Sequence, residues 1–325
     1  MEIKRNTFLD CLKFYLILLV ILGHLLGSYK EASHLNMVVW NFIYLFHMPL
    51  FVFVSGYFTK SITFKKFKTS IFKIIETFLF LHVLSLLPLI IKGTLTLESI
   101  ITPWWILWYL FALIIWKSFY FFLILKLNNR IFLFISILVA LMSGFFSILG
   151  YPLSLSRIFV FFPFFLLGAL SNEIYLNKIR SIPKIYGVLV LSMTFICLLF
   201  VQKDLAVIAW GSYSYYAFPN IYIGLLMRFL FFIGAVSISI AFINIVPNNK
   251  MFSKTGQDTL LYYAYHGYLI ILFREVINYI GLNPNFILIF MLSIVLILIL
   301  YVFSKTKISR YLLNPYSYYK SKYII

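Results

Sequence analysis

The stretch DCLKFYLILLVILGHL, residues 10–25, is followed at residues 38–58 by VVWNFIYLFHMPLFVFVSGYF, and both apolar runs carry embedded polar side chains. Runs of this length and hydropathy predict membrane-spanning helices. Lys13 and His24 are eleven residues apart, close to three helical turns, so both should lie on one helix face about 16 Å apart along the axis. Ionisable groups inside membrane helices are rare and usually functional. This stretch therefore predicts a helix with a cation near one membrane surface and an imidazole near the other.

The whole chain shares this apolar character. Its 325 residues are 63% hydrophobic, 21% aromatic and only 11% charged, a composition that excludes an ordinary soluble domain. A bilayer core needs roughly 20 apolar residues per helix, and the stretches that qualify are 8–28, 38–58, 72–91, 104–125, 131–149, 156–171, 185–201, 221–245, 258–279 and 285–304. We therefore predict an all-α, polytopic transmembrane helix bundle of about ten spans. Segment 205–218 is too short to span, and we expect an interfacial or re-entrant piece there.

Positive charges in the loops predict the orientation. The formal charge is +18, but most basic residues lie in short loops, where positive-inside topology and membrane lipid headgroups explain them better than nucleic acid does. One predicted side has Lys30, Lys92 and Lys203; the other has Lys4, Arg5, Lys60, Lys65, Lys66, Lys68, Lys73, Lys126, Arg130, Lys178, Arg180, Lys184, Lys250, Lys254, Lys305, Lys307, Arg310, Lys320 and Lys322. This asymmetry places both termini in the cytoplasm.

The domain organisation follows from the loop lengths. No connecting loop is long enough for an extra soluble domain, so we expect residues 1–325 to form a single integral-membrane domain without a fused soluble one. Cys11 and Cys197 both lie in apolar segments, which gives neither disulfide nor metal-site spacing. Heavy use of Ile, Phe, Tyr, Lys and Asn suggests an AT-rich bacterial genome, and we therefore expect a multi-pass protein of the bacterial cytoplasmic membrane.

Four sequence blocks carry a family resemblance. They are D-x-x-K-x10-H in the first helix, F-H-M-P-L-F-V-F-V-S-G-Y-F in the second, S-R-I-F-V-F-F-P-F-F-L-L-G at residues 156–168 and G-x-x-T-L-x-x-Y-x-x-H at residues 256–266. In their order and spacing they resemble the membrane acyltransferase-3 family, and within it the fucose 4-O-acetylase-like branch.

The resemblance implies an O-acetyltransferase. Such an enzyme would move acetyl from cytoplasmic acetyl-CoA, its co-substrate, to a hydroxyl of a cell-surface carbohydrate or a lipid-linked glycan precursor, without a metal. The alternatives are a proton-coupled transporter or flippase of a lipid-linked sugar or acyl compound, and a non-catalytic scaffold. The sequence shows no inverted repeat, which weighs against a transporter, and a scaffold would leave His24 and His47 unexplained. The acceptor sugar and the oligomeric state are open at this point.

The candidate catalytic residues are His24, His47 and Arg157. The resemblance matches His24 to the family's essential first-helix histidine, which takes the acceptor proton or carries the acyl group. His47 should lie at a similar depth and orient it, and Pro49 should kink that helix and release carbonyls. Arg157 could stabilise an oxyanion or bind an acceptor hydroxyl or phosphate. The structural alternatives are interhelical hydrogen bonds for the histidines and snorkelling for the arginine.

The candidate coenzyme contacts are Lys13, Asp10, Ser55, Gly56 and Lys73. Lys13 could meet the phosphates of coenzyme A, or could simply form an ion pair with Asp10 one turn earlier. Ser55 and Gly56 match a family S-G motif, with small-residue helix packing as the alternative. Lys73 opens K-I-I-E-T-F, where the family often has R-L-x-x-P-Y.

Other polar and aromatic residues have open roles. One aromatic cluster is more typical of a membrane interface than of a sugar-stacking platform. It consists of Trp104, Trp105, Trp108 and Tyr109. Arg274 and Glu275 are consistent with a local pair. The sequence leaves the depth of His266 and the role of Arg228 undetermined.

Overall fold

The computed structural model describes residues 6–60, 63–123, 128–150 and 152–314. Over these residues the chain is helical, with 81% of residues in helices and no strand, which confirms the all-α prediction. The α-helices described are α1 Thr7–Gly27, α2 His34–Tyr44, α3 His47–Tyr57, α4 Phe64–Ile91, α5 Leu97–Ile101, α6 Trp108–Leu123, α7 Asn129–Met142, α8 Leu155–Leu170, α9 Glu173–Ser181, α10 Lys184–Leu199, α11 Ala206–Ala209, α12 Ile221–Ile245, α13 Lys250–Gly256, α14 Thr259–Ile280, α15 Phe286–Ser304 and α16 Lys307–Leu313.

Polar residues set the starts of the apolar helices. The Asn6 side chain accepts a hydrogen bond from the Leu9 backbone N–H at the start of α1, and the Ser33 side chain accepts one from Asn36 at the start of α2. Each cap satisfies a backbone donor that the first turn of a helix leaves without an internal partner. The starts of the first two helices are therefore determined by the residues that directly precede them.

Five helical stretches are long and apolar enough to cross a membrane. They are Thr7–Gly27, His34–Tyr57, Phe64–Ile91, Ile221–Ile245 and Phe286–Ser304, and a sixth arises if α8 and α9, which meet at a 96° bend, form one span. Three further apolar helices within the described residues, Trp108–Phe122, Asn129–Phe145 and Lys184–Leu199, are shorter. These findings support a multi-pass membrane protein. Each of the ten predicted stretches contains a helix, but the count of ten spans and the cytoplasmic termini stay predictions.

Packing divides the chain into two compact units, each built from separated stretches. Unit 1 consists of Met1–Phe51, Asn172–Ala206 and Ile233–Ser309, and unit 2 of Val52–Ser171, Val207–Phe232 and Arg310–Ile325. The single-domain organisation stays a prediction.

In unit 1, α1 is the central helix and contacts α2, α13, α14 and α15. Helix α13 approaches the backbone of α1 closely at Gly256. A Cβ atom added to Gly256 would lie 1.8 Å from the carbonyl oxygen of Asp10, so only glycine fits there. This contact fixes the end of α1 that carries Asp10 and Lys13.

In unit 2, the end of α3 crosses α8 through two reciprocal glycines. A Cβ on Gly56 would lie 1.9 Å from the Phe165 carbonyl oxygen, and one on Gly168 would lie 1.8 Å from that of Phe53. Small residues allow such close approach of membrane helices. For Gly56, the sequence left coenzyme contact and small-residue helix packing as alternatives. The structure shows the packing.

The second predicted span is broken near Pro49. Helix α2 ends at Tyr44 and α3 begins at His47, and the break contains Leu45, whose carbonyl is four residues before the proline. A proline ring clashes with the carbonyl at that position. The interruption lies one turn before the proline, within the apolar stretch His34–Tyr57, and the kink itself stays a prediction.

Candidate functional site

Helix α1 carries an ion pair at one end and a histidine near the other. Lys13 Nζ lies 2.7 Å from Asp10 Oδ1, and the Asp10 side chain is 1% exposed while that of Lys13 is 19% exposed. A buried carboxylate needs such a partner, because removing a charge from water is costly. The pair that the sequence offered as an alternative is therefore present. It does not exclude phosphate contact, since an ammonium group has three donors.

His24 is partly exposed and lies against Tyr44 of α2. The tyrosine Oη is 3.2 Å from His24 Nδ1. Gly23 permits this approach, because a Cβ there would already lie 3.2 Å from the Tyr44 ring and 3.1 Å from Ile43. The hydrogen bond fixes the orientation of the imidazole ring. Tyr44 was not a predicted site residue, because only the packing of α2 on α1 reveals its role.

His47 is fully buried behind Tyr44. Its exposure is 1%, and its ring centroid lies 4.8 Å from that of Tyr44. His47 Nδ1 lies 2.7 Å from the Ile43 carbonyl oxygen, and since a carbonyl can only accept, Nδ1 carries the hydrogen and donates. The sequence predicted His47 as an orienting partner of His24. The structure places Tyr44 in contact with both rings.

His266 on α14 joins this cluster. Its ring centroid is 5.3 Å from that of His24, and its Nδ1 donates to the Tyr263 carbonyl oxygen at 2.7 Å. His266 Nε2 is buried and has no hydrogen-bond partner among the described residues. In the neutral ring this nitrogen carries a lone pair, because the hydrogen is on Nδ1. The sequence showed His266 in a motif but not its depth, and the fold supplies that information.

The histidine cluster is thus His24, His47 and His266 with Tyr44, all within unit 1. Two of its imidazoles are buried and anchored to backbone carbonyls, and the third, His24, is partly accessible. Among the described residues no group of three or more His, Cys, Asp or Glu side chains could hold a metal ion. The arrangement can accept and hold a proton at an accessible imidazole.

Arg157 lies in unit 2, near the start of α8. Its guanidinium carbon is 5.3 Å from the ring centroid of Trp108, and it lines a cavity of 440 Å³ together with Glu98 and Trp104. This position suits contact with a ligand in that cavity.

The predicted coenzyme contacts of unit 2 lie in different environments. Ser55 Oγ is 2.5 Å from Tyr109 Oη, while Gly56 is committed to the helix crossing. The Lys73 side chain is exposed on α4, and its backbone carbonyl accepts a hydrogen bond from Thr77. Only Lys73 among these three combines a positive charge with exposure.

Arg228 and Arg274 hold local structure. Arg228 is 5% exposed and donates to the Tyr213 carbonyl at 2.6 Å and to Ser143 Oγ at 3.2 Å. Arg228 thereby connects Tyr213 to Ser143, the residue that follows α7. Arg274 pairs with Glu275 at 3.3 Å, which is the local pair expected from the sequence.

The helices and the cluster together define a class, a multi-pass helical membrane protein with buried histidines around an accessible one. Residues 6–304 match the Acyl_transf_3 family model, which describes an acyltransferase domain. The chain belongs to this acyltransferase family, and it is accordingly a membrane acyltransferase. No curated protein and no solved structure matches the chain.

Proposed function

We propose that the protein is an acyl-CoA-dependent O-acetyltransferase that moves acetyl from cytoplasmic acetyl-CoA to a hydroxyl of a cell-surface carbohydrate or its lipid-linked precursor. We also propose that it belongs to the fucose 4-O-acetylase-like branch of the family. In this proposal the protein crosses a bacterial cytoplasmic membrane ten times and has both termini in the cytoplasm. The observation that carries it is the accessible His24 hydrogen-bonded to Tyr44, in a chain that belongs to an acyltransferase family.

The chemistry follows from the two nitrogens of His24. When Nδ1–H donates to the Tyr44 oxygen, Nε2 carries the lone pair and can act as a base. The acceptor oxygen attacks the thioester carbonyl carbon while its proton passes to Nε2. The C–S bond then breaks, and the coenzyme thiolate takes the proton from the imidazolium and leaves as the thiol. In a second route Nε2 attacks the thioester carbonyl carbon, the C–S bond breaks and the coenzyme leaves as the thiolate. The acceptor oxygen then attacks the acetyl carbon, the bond between that carbon and Nε2 breaks, and the acceptor proton passes to the thiolate.

The proposed coenzyme contacts are taken in each unit separately, Lys13 in unit 1 and Lys73 with Ser55 in unit 2. Lys13, steadied by Asp10, and the exposed Lys73 can contact coenzyme phosphates as point charges. Ser55 is a further proposed contact, with Gly56 setting the backbone position of the S-G motif.

The test is the purified His24→Ala variant with a matched His34→Ala control. His34 is exposed and hydrogen-bonds the Leu199 carbonyl oxygen, so its loss removes an imidazole outside the cluster. Removing a general base lowers rates by roughly 10²- to 10⁴-fold, so His24→Ala should lose acetyl transfer while acetyl-CoA still protects it against thermal unfolding. Near-parent acetyl transfer by His24→Ala would refute the assignment. Rapid-quench mass spectrometry for an acetylated His24 separates the two routes.

A further inference from the structure

The cavity beside Arg157 has walls from several parts of unit 2. Its 440 Å³ lies within the range of about 300–1,000 Å³ that small-molecule sites occupy. Helix α4, helix α5, the segment before α6 and the start of α8 all contribute to it, and its polar and aromatic lining includes Ser85, Glu98, Trp104, Trp105, Ser154 and Arg157.

This lining combines flat aromatic faces with hydrogen-bonding groups of both kinds. The Trp104 and Trp105 ring centroids are 6.0 Å apart at an interplanar angle of 89°, so the two indoles present faces in different directions. The negative face of an indole attracts polarised C–H groups. Arg157 can only donate hydrogen bonds and an ionised Glu98 can only accept them. A ligand with C–H faces and several hydroxyls satisfies all of these groups at once.

The cavity wall is held in place by its own hydrogen bonds. His82 on α4 donates from Nε2 to the Ile100 carbonyl of α5 at 2.8 Å, and Thr96 and Ser99 form a capping box at the start of α5. These bonds keep α5, which carries Glu98, against α4. A pre-formed wall lowers the ordering cost of binding.

The backbone entering α8 is strained where it borders the cavity. Leu153 and Ser154 have φ of 52° and 54°, a left-handed conformation that non-glycine residues seldom adopt in succession. Such strain persists where surrounding structure imposes it, often at ligand sites. Here it precedes the turn of α8 that directs Arg157 toward the cavity.

We propose that this cavity binds one pyranose ring of a carbohydrate. Calling that carbohydrate the acyl acceptor rests on the proposed function, whereas the binding itself does not. The carboxylate of Glu98 disfavours the phosphates of a coenzyme, and an acyl chain offers no hydrogen-bonding group to Glu98 or Arg157. In the proposed orientation the segment before α6 and the start of α8 face outward, where a surface carbohydrate is met.

The test measures binding of methyl β-D-galactopyranoside and methyl β-D-glucopyranoside to the purified full-length protein in detergent, without acetyl-CoA. Saturation-transfer NMR reports which ring C–H protons contact the protein. Trp104→Leu should weaken binding roughly tenfold, in keeping with loss of an aromatic contact, and Glu98→Gln should weaken it severalfold. The matched controls, Trp210→Leu and Glu31→Gln, lie outside the cavity lining and should retain parent affinity.

Two results would overturn the inference. One is no binding of either pyranoside by the parent protein, and the other is equal binding of the open-chain polyol galactitol, which has the hydroxyls but no ring face. If pyranoside binding depends on Trp104 and Glu98 but the protein transfers no acetyl group, the cavity assignment stands and the proposed function fails. If acetyl transfer occurs while both cavity variants bind pyranosides normally, the cavity assignment fails and the proposed function stands.

Discussion

At the residue scale, the Tyr44 hydroxyl decides which way the His24 ring faces. When Nδ1–H of His24 donates across the 3.2 Å to the Tyr44 oxygen, the lone pair lies on Nε2, because the two ring nitrogens of a neutral imidazole have opposite roles. The partner of a catalytic histidine usually acts through orientation and tautomer. Tyr44 is therefore a positioning residue in the proposed reaction.

We predict that Tyr44→Phe lowers the acetyl-transfer rate by roughly tenfold, because one hydrogen bond contributes a free energy that corresponds to about that ratio. Acetyl-CoA protection against unfolding should be retained. Turnover and thermal stability are measured beside Tyr186→Phe, which makes the same change at an exposed tyrosine. Parent activity in Tyr44→Phe would remove the hydroxyl from the mechanism.

For His266 we predict that Gln retains more activity than Asn. An asparagine can reproduce the donor at Nδ1 and keep the bond to the Tyr263 carbonyl, but it removes the buried Nε2 position. A glutamine reaches the Nε2 position instead. Steady-state rates of both variants, with folding checked by thermal unfolding, test this. Equal activity, or the reverse order, would mean that Nε2 has no part in the reaction.

The site residues that share helix α1 were predictable from the sequence. The contacts of His24 with residues on other helices were not. Asp10, Lys13 and His24 follow from spacing along α1, because helical geometry is local. Tyr44 and His266 reach His24 only through the packing of α2 and α14 on α1. No spacing rule within a single helix encodes that contact.

At the element scale, glycines determine how closely helices approach. Gly256 lets α13 lie against α1, and the substitution Gly256→Ala places a Cβ 1.8 Å from a backbone oxygen. Because a backbone atom cannot rotate away as a flexible side chain does, one of the helices must move.

We predict that Gly256→Ala destabilises the protein by about 1–3 kcal/mol, as overpacking of a well-packed interior does. The control is Gly234→Ala on α12, where a Cβ meets nothing within 4 Å and alanine favours the helix. Thermal unfolding in detergent measures both. A Gly256→Ala variant as stable as Gly234→Ala would contradict the close contact.

Helix positions were predictable from apolar run length, but helix ends and breaks were less so. Each predicted stretch contains a helix, whereas α4 begins at Phe64, eight residues before the predicted start at 72. Lysines there can remain in a helix that extends beyond the apolar core, so hydropathy alone misses them. The proline predicts a kink, and α2 and α3 are separated by the two residues Leu45 and Phe46.

At the scale of the whole molecule, the two units interleave along the chain. Unit 1 draws its helices from three separated stretches, so no change of composition marks the boundary. Hydropathy and charge predict the number and direction of spans, but which spans pack together depends on side-chain contacts between distant segments. The sequence therefore supports a single-domain reading without revealing the two units.

We predict that a cysteine at Ser33 is labelled from outside intact cells and that one at Lys254 is not. Both introduced cysteines are placed in the Cys11→Ser, Cys197→Ser variant, which lacks the two cysteines of the chain. Position 254 is exposed on α13, so burial would not mask it. Outside labelling at position 254 by an impermeant reagent would reverse the proposed orientation.

The backbone carbonyls that receive the Nδ1 hydrogens of His47 and His266 have an isotopic consequence. A buried proton held in this way leaves for solvent only when the surrounding structure opens. In protein labelled with ¹⁵N-histidine, these two ring protons should survive transfer into D₂O long after that of the partly exposed His24 has been replaced by deuterium. Rapid loss of all three NMR signals would contradict the anchoring. Slow exchange at His47 and His266 beside fast exchange at His24 would distinguish the two anchored imidazoles of the cluster from the accessible one.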